Sequence, residues 1–183
     1  MDEKATKEKE LKDCFLNALK DEKKGKKHKG LLVGEQDTER AKEFLIKAKM
    51  TLELCDDFKK KGFDYKIPEE FFYTLYYCGL AILSKFGVET RSQRCTALFL
   101  RMVKNCGLIE YDDDFIDRIT VHNEKTEMSN VDERENARYG SRIKMEEVEA
   151  GYETMMNICK NAISQCEEIV YSDKKFETPK ELL

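Results

Sequence analysis

The chain predicts an all-α fold, an antiparallel bundle of four to five helices with one extra helix at its N-terminus. Three observations carry this. Its 183 residues hold only two prolines and nine glycines, so few positions interrupt regular structure. Apolar residues recur three and four apart through long stretches, the spacing of one helix face. Charged residues make up 38% and apolar residues 40% of the chain, which suits helices with one solvated side.

The elements follow in chain order. Leu11, Cys14, Phe15, Ala18 and Leu19 draw one narrow apolar stripe along an otherwise Lys/Glu-rich helix, which can dock on a core but cannot form one. Lys23 to Gly30 is a run of like charges punctuated by glycine, and reads as an exposed loop. A helix over 38–61 opens at Asp37 or Thr38 and buries Phe44, Leu45, Ala48, Leu52 and Cys55 before Gly62. The next, over 68–86, starts with Pro68 in its first turn and is apolar nearly all round, which makes it the central helix. Gly87 to Thr90 is then a short connection to a helix over 91–105 that ends at Gly107.

Acids from Glu110 to Asp117 suit the positive end of a further short helix. A long last helix over 145–171 carries Tyr152, Met155, Met156, Cys159, Ile163, Cys166 and Val170. The domain plan is a charged helix and basic loop over 1–36, the bundle over 38–172 and a tail over 173–183. The length is that of one domain.

Several function classes are excluded. No apolar run approaches the ~20 residues that span a bilayer, and the opening MDEKATKEKE lacks the apolar core of a signal peptide, so a cytoplasmic protein with no membrane partner is expected. The seven cysteines form no CxxC pair and several fall on apolar faces; Cys78, Cys95, Cys106 and Cys159 are expected to be unpaired and mainly buried. A net charge of −4 argues against a general nucleic-acid coat but permits a local basic site.

P-loop, GxGxxG, HExxH and GxSxG signatures are all missing. A di-iron bundle needs Glu-x-x-His, yet Gly25 and Ile119 stand three before His28 and His122, so neither metal nor cofactor is expected. Asp112, Asp113 and Asp114 point in different directions on a helix and read as its solvated start rather than a cation site.

The most specific stretch is FFYTLYYCGLAILSKFGVETRSQRCTALF, Phe71 to Phe99. It resembles HEPN domains, in which a tyrosine-rich helix is followed by a glycine turn, a basic link and another helix. AKEFLIKAKMTLELCDDF, Ala41 to Phe58, is similar to that family's opening helix, and RENARYGS, Arg134 to Ser141, looks like its R-x-x-A-D-Y segment. The resemblance covers 38–171. It implies a bundle that usually dimerises, activities from nucleotide binding to metal-independent RNA cleavage, and pairing with small nucleotidyltransferases.

The family's nucleases place a histidine about four to six residues after an arginine. Here the matching position after Arg134 is Tyr139, whose phenol is mostly protonated at neutral pH and is a poor general base. The expected function is therefore nucleotide, RNA or partner binding, in a toxin–antitoxin-like or nucleotidyltransferase-associated setting, without the usual ribonuclease activity. The alternatives are a metal-independent ribonuclease using Arg134 with Tyr139 or His122, and a helical adaptor with no ligand.

Arg134, Arg138, Tyr139 and Arg142 form the leading ligand-binding set, guanidinium groups for phosphate beside a ring for stacking. Glu133, Glu135 and Asp132 could instead neutralise these arginines. Arg91 and Arg94, at the start of a helix, are a second candidate anion site. Arg118 and His122 share a helix face by their spacing. Tyr73, Tyr76 and Tyr77 span more than one side of their helix, so at least one is expected to face away from the core, Tyr76 being the most core-like.

Overall fold

A computed structural model describes residues 3–120 and 145–179. The described elements are α1 (Glu3–Lys23), β1 (Leu31–Val33), α2 (Thr38–Lys61), a 3-10 turn (Asp64–Lys66), α3 (Ile67–Lys85), β2 (Val88–Thr90), α4 (Gln93–Asn105), α5 (Asp113–Arg118) and α6 (Met145–Tyr171). The architecture is a helical bundle with one two-stranded antiparallel sheet, in which Leu31, Leu32 and Val33 pair with Thr90, Glu89 and Val88.

The caps follow from residue type. The Asp37 carboxylate accepts from the Arg40 amide at 2.8 Å, and Gly62 closes α2 at φ 71°, a left-handed conformation cheap only for glycine. The Ser92 hydroxyl accepts from the Cys95 amide at 3.3 Å, so Ser92 caps α4 and the helix begins two residues later than the spacing suggested. Pro68 sits in the first turn of α3, where its missing N–H costs nothing.

Helix α3 is central, packing against α2, α4, α6 and β2. Phe72, Leu75, Ile82 and Leu83 are fully buried on it, each stabilising the fold by roughly 1.5–3 kcal/mol. Its buried hydroxyls are satisfied within the helix: Thr74 and Ser84 donate to the Glu70 and Leu80 carbonyls, each at 2.9 Å. Residues 172–179 fold back over one end of the bundle. Phe176 packs at 5.0 Å from Phe86, Gln36 donates to its carbonyl, and the Lys85 Nζ donates to the Ser172 carbonyl at 3.2 Å.

Helix α1 lies outside the bundle against α4 and β1, seated by Leu11, Phe15 and Ala18. Three local expectations fail. Cys95 is not free: it forms a disulfide with Cys14, 81 residues earlier. Cys106 is a free thiol but exposed, because it follows the last turn of α4 rather than lying on its apolar face. The basic loop is not wholly solvated, since it ends in β1, which brings His28 and Gly30 into the interior. Cys78 and Cys159 are free and buried as expected.

Candidate functional site

The sequence-derived anion site at the start of α4 is occupied by the protein's own acids. Arg94 pairs with Glu10 of α1 at 2.9 Å and Arg91 with Glu89 of β2 at 3.7 Å. Glu89 also lies 3.5 Å from Arg40 and 3.9 Å from the His28 ring, so one carboxylate ties α2, β2 and the loop before β1. Beside it opens a cleft of about 300 Å³ lined by Val33, Gly34, Glu35, Asp37, Arg40 and Glu89, whose acids outnumber its one arginine.

The acidic segment is likewise internally satisfied. Asp113 is held by Lys104 at 2.5 Å and by Arg101 at 3.3 Å, which keeps its carboxyl below the usual range; the hydrogen bond from Lys104 is the largest cause. Arg101 also pairs with Asp117. Arg118 donates to Asp114 at 2.9 Å and reaches the Met155 sulfur at 3.2 Å. These are the contacts of a helix start fastened to α4 and α6, and among the described residues no three metal-type ligands converge. Arg134, Arg138, Tyr139, Arg142 and His122 lie outside the described residues.

The tyrosines of α3 form a ladder rather than separate surfaces. Tyr77 stacks on Phe44 at 6.3 Å and on Tyr73 at 5.9 Å; Tyr73 meets Phe72 edge-on at 5.3 Å, and Phe72 stacks on Tyr76 at 5.8 Å. All three tyrosines are half-buried and pack on the core, so none turns fully away from it. Burial pushes the Tyr76 and Tyr77 phenols up, which keeps them protonated.

The surface feature that sequence reading missed lies on α2. Ile46, Met50 and Leu54 are 53%, 61% and 42% exposed. Their spacing of four places them in one ridge, at a rise of about 6 Å per step, on the side of α2 away from its buried residues Leu45, Ala48 and Leu52. Lys47 and Glu53, both exposed, stand three residues either side of Met50. The available signal was a second apolar row on a helix whose first row already supplied the core.

Comparison with models of known protein families, with curated proteins and with solved structures gives no match in any of the three.

Proposed function

We propose that this chain is a HEPN-like binding domain that acts by association rather than catalysis, and that a second copy of the chain occupies the α2 ridge. The observation that supports this most is the row Ile46–Met50–Leu54, a run of large apolar side chains on a helix that is otherwise charged on its outer side.

A second copy fits for reasons of geometry. A two-fold axis beside Met50 sets Ile46 against Leu54 of the other copy, so the ridge is complementary to itself. Ridges formed by residues four apart pack into one another at a crossing angle of about −50°. That crossing separates the like-charged Glu43 and Asp57, seven residues either side of Met50. A near-parallel pairing would press them together.

The test is the mass of the whole chain over a wide concentration range, by sedimentation equilibrium. Wild type is expected to pass from monomer to dimer, and Met50→Glu to weaken the dimer at least about tenfold, or about 1.4 kcal/mol. A monomer at every concentration overturns the reading. Unchanged mass together with short-RNA binding that is lost on Arg134→Ala/Arg138→Ala would move the function to RNA recognition.

A further inference from the structure

The disulfide joins two elements of different standing. Cys95 is in the first turn of α4, a helix packed on the core through Phe99, Leu100 and Val103. Cys14 is on α1, which touches the molecule by a single stripe: Leu11, Cys14, Phe15 and Ala18. Around the bridge lie the Phe15–Phe99 edge contact at 6.4 Å, the Glu10–Arg94 ion pair at 2.9 Å and the close approach of Gly30. A Cβ on Gly30 would come within 2.0 Å of the Cys14 carbonyl oxygen, so the strand entry and α1 meet backbone to backbone. The other five cysteines are free thiols, and the four buried ones lie on α2, α3 and α6, away from α1.

We propose that Cys14 and Cys95 are a reversible clasp that couples the docking of α1 to the thiol redox state. The exchange is ordinary thiol chemistry with a monothiol of the glutathione class. Its thiolate attacks the Cys14 sulfur, forming a mixed disulfide and breaking the Cys14–Cys95 bond. Cys95 leaves as a thiolate and takes a proton from solvent. A second monothiol then attacks the mixed disulfide, freeing Cys14 and producing one small-molecule disulfide.

Position favours this polarity, because Cys95 lies in the first turn of α4, where the helix dipole favours negative charge. Both cysteines are nearly covered, Cys14 being 8% and Cys95 7% exposed, so exchange requires α1 to lift. With the bond broken, α1 is held by non-covalent contacts alone, the buried stripe and the Glu10–Arg94 ion pair among them, and its departure uncovers Phe99. This mechanism does not depend on the α2 ridge, since α1 packs against α4 and β1.

The test uses the full chain oxidised by air in a buffer without small thiols, the same chain under excess reduced thiol, and the Cys14→Ser/Cys95→Ser variant. Hydrogen–deuterium exchange is followed over α1 and α3, and free thiols are counted after denaturation. The clasp requires five free thiols in the oxidised chain and seven in the reduced one. It also requires exchange over α1 to quicken at least tenfold on reduction while α3 is unchanged, with the variant matching the reduced chain in either buffer. If the variant loses helicity, the two states of the wild type decide alone. Seven thiols after oxidation, equal α1 exchange in both states, or equal acceleration of α1 and α3 would each overturn the proposal.

Discussion

At the scale of single residues, the thiols divide by solvation. Burial pushes the Cys55 thiol up to about 12, and burial likewise raises Cys159. The Cys78 thiol is raised by its interaction with Cys166 and by burial. Exposed Cys106 has no such shelter. In native protein at neutral pH, iodoacetamide is therefore expected to modify Cys106 first, and the buried thiols only as fast as the protein opens. Mass mapping of the adducts checks this; early labelling of Cys55 or Cys159 contradicts it.

The same shifts give a pH dependence with a definite sign. A thiol raised in the fold keeps its proton while the unfolded chain loses it near pH 9, so the unfolded state binds fewer protons above that pH. Stability is then full below about pH 9 and falls as pH climbs towards 12. Tyr152 acts in the same direction, raised by burial and by its 2.5 Å hydrogen bond to Asp56. Urea midpoints measured from neutral to alkaline pH should fall monotonically above pH 9, and a flat profile would show that these groups are not sheltered.

Among elements, the two-stranded sheet depends most on one residue. Gly87 has φ 71°, and a Cβ there would lie 2.6 Å from the Gly34 carbonyl oxygen and 2.9 Å from the Glu35 carbonyl carbon. Both clashes are with backbone. Gly87→Ala is expected to cost about 1–3 kcal/mol, while Ser92→Ala, which removes only a cap, should cost about 1 kcal/mol. Thermal or urea unfolding of the two variants orders them, and an unaffected Gly87→Ala protein would contradict the strand register.

The elements also differ in how far their residues announced them. Asp37, Pro68, Gly62 and Gly107 mark helix ends by local chemistry alone, and α3 declares its central place because it has no polar side. Strands of three residues are too short to show alternation, so Leu31–Val33 and Val88–Thr90 read as loop. The Cys14–Cys95 bond depends on α1 and α4 meeting across 81 residues, which no local pattern encodes. For the candidate sites, charge type was legible but pairing was not: Arg91 and Arg94 look available until Glu89 and Glu10 come beside them.

For the whole molecule, the bundle is closed on itself around α3, and among the described residues no helix is long and apolar enough to cross a membrane. What distinguishes its outer side is the ridge on α2, and self-association through that ridge is the central claim. It is tested most directly by a charge pair introduced across the two-fold axis and read by sedimentation equilibrium. Ile46→Lys alone and Leu54→Glu alone should each weaken the dimer at least about tenfold, whereas Ile46→Lys/Leu54→Glu sets a cation against an anion twice and should recover part of the loss. A double variant no stronger than the weaker single variant, or a single variant as dimeric as wild type, would contradict the two-fold packing centred on Met50.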